Sequence, residues 1–331
     1  MKLKNELFGV MPGLLLAFSI AFAAWYLGTL FPVAGGPVFG IIIGMLVSFW
    51  KRPQVFNRGI KFTSKKLLQA AIILLGFEMN LFNVLKVGSQ SLLIMVFTLI
   101  AAFITSWLVG YVLKVEGNIG TLIGVGTAIC GGSAIAATAP VINADDKEVA
   151  YSISTIFLFN VAAVFIFPFV GHLTNMSDTG FGIWAGTAIN DTSSVVAAAY
   201  SYSDTAGNLA TIVKLTRTLM IVPITLVLSI YYSSRGDGVN GFRLIKVFPW
   251  FILGFLAASM VRTMGIIPSS FSGLLVQTGK YLIIMAMSAI GLNTSLKQMI
   301  GNGFKPILLG LSCWIAVAIV SQIVQFTLGL Q

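Results

Sequence analysis

Charge is what this chain has least of. Asp, Glu, Lys and Arg make up 9% of its 331 residues, and histidine occurs once. Soluble domains carry charge at about a quarter of their positions, so a water-facing globule is excluded. Cysteine is almost absent. Cys130 and Cys313 both lie in apolar runs, which leaves no disulfide framework and no zinc-type spacing. No nucleotide-binding P-loop, dinucleotide fingerprint or HExxH occurs, and no polar stretch is long enough for a soluble ATPase domain. No cofactor, no metal and no enzymatic role is therefore expected. Cys130 has no base partner and reads as a small packed thiol. Acidic residues number 10 against 20 basic ones, a net charge of +10. Nucleic acid is not the implied partner, because the basic residues sit in loops between apolar runs, the pattern that sets membrane topology.

Hydrophobic residues, by contrast, fill 57% of the chain. A bilayer-spanning helix needs about 20 mostly apolar residues, and such stretches cover nearly everything. The chain reads as an all-α, polytopic membrane protein, a single domain over 1–331. About 11 spans are expected, at 9–31, 38–50, 67–86, 91–113, 119–141, 149–171, 181–200, 209–232, 247–264, 273–296 and 304–328. The basic start, MKLKNELFGV, precedes an apolar run longer than a signal segment, so it is expected to be a retained first span. The loop with Lys51, Arg52, Arg58, Lys61, Lys65 and Lys66 belongs in the cytoplasm. That places the N-terminus inside and the C-terminus outside. Lys2, Lys4, Lys114, Arg235, Arg243, Lys246, Lys297 and Lys305 also fall inside, and only Lys86, Lys147, Arg262 and Lys280 outside.

Two internal echoes occur. GTAICGGS (126–133) resembles GTAINDTS (186–193), and GFEMNL (76–81) resembles GLNTSL (291–296). The second pair lies on spans of opposite direction, as in the inverted repeats of secondary transporters. The first pair lies on spans that run parallel, so the two echoes do not fit one simple repeat.

The polar residues inside these spans carry the functional reading. Gly131 and Gly132 loosen a helix mid-span, Pro140 removes a further donor, and a broken helix offers backbone N–H groups to an anion. Ser133 and Thr138 add hydroxyls there. The plainer alternative is close packing through small residues. Asn190, Asp191, Thr192, Ser193 and Ser194 form a polar run that lipid cannot satisfy, so they line a substrate or coupling-ion site or else a structural polar network. Lys214 and Arg217, three apart, share a helix face. Facing inward, they make a cationic pocket suited to oxyanions, with Asp191 neutralising one of them when the site is empty. Facing outward, they snorkel. Glu78, Asp191 and Asn293 are the candidates for a coupling proton or sodium ion; Glu78 lies about midway across if its span starts near Leu67, or else close to the outer interface with no role, and Asn293 has the same two readings. His172, beside a loop, reads as an interfacial residue.

The ordered set GTAICGGSAIAATAPVI, GTAINDTSSVVAAA and VKLTR, with LLGFEMNL upstream and AIGLNTSL downstream, resembles the YeiH family of bacterial inner-membrane proteins, described as sulfate exporters. The resemblance spans nearly the whole chain. It implies a multi-pass plasma-membrane protein similar to the bile-acid symporter and sodium–proton antiporter type of fold, in which broken helices cross. Gly131–Gly132 would supply one crossing element, and either Gly186–Ser194 or Gly291–Ser295 the other. The paired-aspartate proton site of those relatives is absent. The expected function is secondary transport of a small inorganic or sulfur-containing anion, sulfate or sulfite, by alternating access, with protons or sodium as coupling ion. The alternative is a proton- or sodium-coupled cation antiporter using Asp191 or Glu78. The lipid bilayer is the other partner, and a homodimer suits such folds.

Overall fold

The computed structural model describes residues 2–31, 35–50, 52–115, 118–233, 249–294 and 303–330. Among them every regular element is helical. Six helical stretches are long and apolar enough to cross a membrane: Gly9–Leu30, Leu81–Val112, Lys147–Leu173, Asp204–Leu228, Ser269–Asn293 and Phe304–Leu328. The chain divides into two compact units. The first comprises Met1–Leu85, Val196–Asn208 and Trp250–Ser295, the second Lys86–Val195, Leu209–Pro249 and Leu296–Gln331.

The first unit opens with α1 (Lys2–Leu30), α2 (Gly35–Ser48) and α3 (Val55–Phe62). A single π turn, Thr63–Leu67, leads into α4 (Leu68–Leu75), which ends in a 3-10 turn, Gly76–Glu78. Later in the chain come α13 (Phe251–Thr263) and α14 (Ser269–Asn293). Paired glycines bring backbones into contact here. A Cβ added at Gly44 of α2 would lie 2.9 Å from the Leu292 nitrogen of α14. One added at Gly13 of α1 would lie 2.7 Å from Gly59 Cα of α3. Such small-residue seams are how membrane helices gain dispersion contact without a hydrophobic driving force. Arg52, ahead of α3, donates to Leu292 O (2.6 Å) and Asn293 Oδ1 (3.3 Å), covering carbonyl groups at the C-terminus of α14. Partial burial lowers its pKa from the ordinary value.

The second unit holds most of α5 (Leu81–Val112), then α6 (Ile119–Ala128), α7 (Gly132–Thr138), α8 (Asp146–Leu173) and α9 (Asp178–Ala188). It also contains the start of α10 (Thr192–Tyr202), most of α11 (Asp204–Leu219), α12 (Ile221–Ser233) and α15 (Phe304–Leu328). Asp145 and Glu148 form a reciprocal capping box at the start of α8. Ser177 caps α9 through Gly180 N. Phe167 of α8 stacks on Trp184 of α9 at 4.2 Å, and Trp314 of α15 lies 5.7 Å from Phe167. This aromatic cluster fixes three helices around the site.

Several expected boundaries move. The segment expected as a span at 67–86 is helical from Val55, just after Pro53, so its helix ends at Glu78. Glu78 is therefore exposed at a helix end rather than midway across. The expected span 181–200 is interrupted after Ala188, and that at 209–232 after Leu219. The span expected at 119–141 is not a single helix but doubles back on itself, as the site geometry shows. Ser295, Leu296, Lys51, Arg235, Arg243, Lys246 and Lys297 lie outside the described residues.

Candidate functional site

The run GTAICGGS ends α6 and reverses the chain. Gly131 adopts φ +69°, ψ −130°, a conformation that L side chains rarely take. Ile135 of α7 then returns alongside α6, and a Cβ added at Gly126 would stand 2.9 Å from Ile135 Cδ1. The mouth of this helical hairpin is closed by Glu148 at the start of α8. Its carboxylate accepts from Asn118 N (2.6 Å) and Asn118 Nδ2 (3.3 Å). Residues 119–141 thus enter and leave at one end. This overturns the reading of Gly131–Gly132 as a crossing element: hydropathy reports apolar length, not the reversal that one positive-φ glycine allows. At the tip, Ser133 Oγ donates to Cys130 O (3.1 Å) and lies 3.1 Å from Cys130 Sγ.

The run GTAINDTS makes the second interruption, between α9 and α10. Asp191 caps α10. Its Oδ2 accepts from Ser193 N at 2.9 Å and from Ser193 Oγ. Its own N–H donates to Asn160 Oδ1 of α8 at 3.1 Å. The two interruptions meet, because a Cβ added at Gly131 would sit 3.4 Å from Asn160 Nδ2 and 3.5 Å from Asp191 Cβ.

Lys214 and Arg217, one helical turn apart on α11, reach into this meeting point, and both are 0% exposed. Lys214 Nζ donates to Ile129 O (2.8 Å) and Ile189 O (3.0 Å). Arg217 Nε donates to Ala128 O (2.7 Å), Nη1 to Thr187 O and Nη2 to Thr127 O. These five carbonyls lie at the C-terminal ends of α6 and α9 and just beyond, where intrahelical partners run out. Each helix end carries roughly half a negative charge. Two ends offset about one of the two buried cations. Asp191 hydrogen-bonds to Ser193 and Asn160 rather than to either cation, and its charge acts on Lys214 across space. The snorkelling alternative falls with the burial of both side chains.

Asn190 lies beside Asp191 and is 0% exposed, yet neither Nδ2 nor Oδ1 has a partner among the described residues. The Thr127 hydroxyl is buried in the same state. An unpaired buried polar group costs about 1–3 kcal/mol, which a ligand at this place would recover.

The structure therefore gathers Gly131, Ser133, Asn190, Asp191, Ser193, Lys214 and Arg217 around one point. Gly132 and Thr192 are the first residues of the helices that follow the interruptions, and Ser194 is buried in the first turn of α10. Glu78 and Asn293 belong to the first unit. Asn293 Oδ1 accepts from Arg52. Asn160 was not anticipated, although a lone amide inside an apolar run is itself a signal. Also unforeseen was the support behind α9, where Thr187 Oγ1 meets Ser321 Oγ of α15 at 2.6 Å.

Residues 12–310 match the family described as Conserved hypothetical protein 698. A UPF0324 membrane protein of Streptococcus agalactiae serotype V is 50% identical over 329 residues, covering 96% of this chain and 98% of its own. One from Fusobacterium nucleatum is 48% identical over 350 residues, covering 99% and 100%. One from Streptococcus pyogenes serotype M6 is 49% identical over 333 residues, covering 97% and 98%. The YeiH resemblance read from the motifs fits this family. No solved structure matches the chain.

Proposed function

We propose that this chain, which belongs to the Conserved hypothetical protein 698 family of membrane proteins, is a secondary transporter of a small inorganic or sulfur-containing anion, of the sulfate or sulfite kind. One observation carries the reading: two fully buried cations stand where two interrupted helices meet, hydrogen-bonded to carbonyl dipoles and, among the described residues, to no carboxylate. Two helix ends offset about one of these charges, and Asp191, which binds neither cation directly, balances the other until an anion arrives with its own partner ion or proton. Arg217 spends three of its five N–H groups, one each on Nε, Nη1 and Nη2, on carbonyls. Its role is to hold the tips and to supply field, while Asn190 and the remaining Lys214 proton supply contact. Gly131, Gly132, Ser133 and the polar run 190–194 complete the surroundings.

Asp191 supports the second reading, a proton or sodium coupling role, because its carboxylate stands at the same point with only Ser193 bound to it among the described residues. Coupled anion transport and cation antiport both use it. They differ in which solute must be present for flux.

The basic-residue distribution supports a plasma-membrane protein with its N-terminus in the cytoplasm and its C-terminus outside. With α6–α7 doubled back, the expected tally of about 11 crossings drops by one. Termini on opposite sides then call for one further change in the number of crossings. Alternating access by the unit that bears the interrupted helices follows the bile-acid and antiporter type of fold in outline.

The test is flux in proteoliposomes. Labelled sulfate or sulfite should move through the intact chain, and Asn190→Ala should reduce its affinity with folding retained. Protons or sodium moving with no dependence on any anion would transfer the assignment to the antiport reading.

A further inference from the structure

The two tips correspond position by position. Lys214 donates to Ile129 O on one and Ile189 O on the other, and Arg217 to Thr127 O and Thr187 O. These are matching places in GTAICGGS (126–133) and GTAINDTS (186–193). The next matching pair is Cys130 and Asn190, each directly after a carbonyl that Lys214 holds. Cys130 has Ser133 Oγ 3.1 Å from its sulfur. Asn190 has no such neighbour: its side chain is buried, and both of its polar atoms lack a partner among the described residues. Turning the amide over exchanges oxygen and nitrogen and leaves the same two needs, a donor for the oxygen and an acceptor for the nitrogen.

A ligand at this place is therefore asked for a proton as well as for lone pairs. Sulfate offers acceptors alone. It would satisfy Asn190 Nδ2 and leave Oδ1 buried without a donor, which is costly. Charge points the same way. With the helix ends offsetting about one of the two cations and Asp191 the other, the point is near balance. One proton or sodium ion taken up at Asp191 cancels one arriving negative charge. A dianion would bring a second, buried with nothing to oppose it.

We propose that this site selects a singly charged oxyanion carrying a proton of its own, of the hydrogensulfite kind rather than sulfate, and that Asn190 is the residue that recognises that proton. That an anion binds here at all rests on the transport reading above; the choice between anions rests on Asn190 and the charge balance. Asn190 Oδ1 accepts from the ligand's hydroxyl, while Nδ2 and the third Lys214 N–H donate to its other oxygens. A site built to bond a hydroxyl rejects an analogue without one, because its own polar atom is then left unpaired.

Calorimetric titration of the purified full chain with sulfite, methanesulfinate and sulfate tests this. Sulfite gains its proton near neutrality. Methanesulfinate is the same singly charged shape with methyl in place of hydroxyl, and sulfate stays doubly charged. In slightly acid solution sulfite should bind about tenfold or more tighter than methanesulfinate, and sulfate weakest. From about pH 7 to about pH 9 the sulfite affinity should fall about tenfold per unit relative to methanesulfinate, whose own profile reports the protein's groups. Asn190→Leu, which removes no side-chain hydrogen bond among the described residues, should make the two monoanions bind alike. The proposal is overturned if sulfate equals or exceeds sulfite in acid, if the sulfite and methanesulfinate profiles run parallel, or if the sulfite advantage survives Asn190→Leu. The first two comparisons use the wild-type chain alone, so they decide the matter even where the variant does not fold. Sulfate bound best, with flux in proteoliposomes, would keep the transport reading and sink this one. Hydrogensulfite preference without flux would do the reverse. No binding of any of the three, by protein whose thermal midpoint shows it folded, would sink both.

Discussion

Gly131 lies against Asp191: a Cβ on the glycine would stand 3.5 Å from the Asp191 Cβ, an ordinary contact distance. Space is thus no obstacle to a side chain there, but the backbone is, because φ is +69°. Gly131→Ala should cost about 1–3 kcal/mol from backbone strain. Gly132→Ala should cost little, since its Cβ would meet only Ile153 Cγ2 at 3.9 Å. Thermal midpoints of the two variants in detergent separate the cases, and equal losses would count against the reversal at Gly131.

Arg217→Ala leaves Thr127, Ala128 and Thr187 carbonyls without their partner. Removing one side of a buried charged network costs about 3–5 kcal/mol. Arg217→Lys should restore only part, because one ammonium cannot reach three carbonyls on two helices with fork geometry. Denaturation of the purified variants should rank wild type above Lys above Ala.

Asp191→Asn tests the sign of the charge at the meeting point. An asparagine Oδ1 can still accept from Ser193 N, so the cap survives. A unit charge about 4 Å away is worth about 1–4 kcal/mol between dielectric constants of 80 and 20. Sulfate or sulfite affinity should therefore rise about fivefold or more. Abolished flux together with unchanged anion affinity would favour the carboxylate as a cation carrier.

Lys114→Cys and Lys147→Cys flank the α6–α7 hairpin, and both positions are exposed. Impermeant thiol reagents should reach the two from the same side of the membrane. Labelling from opposite sides would restore residues 119–141 as a crossing.

The apolar runs made helices and membrane class legible from composition alone, and α15 begins and ends where hydropathy places it. The break at Gly131 was legible too, since paired glycines, small hydroxyls and Pro140 coincide there, although close packing through small residues remained open. Its direction was not: Ile135 packs back on α6 by tertiary contact, which no periodicity reports. The burial of Lys214 and Arg217 could be read from their depth in an apolar run. Their partners could not, because every residue has a carbonyl and only the fold shows which ones lose their helix. Glu78 was left between two positions for a simpler reason. The basic turn 58–66 looks like a loop to a hydropathy count, yet it is helical from Val55 onward and carries the end of its segment with it.

Arg217 grips both tips at once, two carbonyls of α6 through Nε and Nη2 and one of α9 through Nη1. Lys214 adds another rivet to each side. Prising one tip from the other would strip three carbonyls on the α6 side or two on the α9 side of their donors, at about 1–3 kcal/mol apiece. The static contacts therefore join the two tips into one body, and under the transport reading proposed above the tips would move together rather than part.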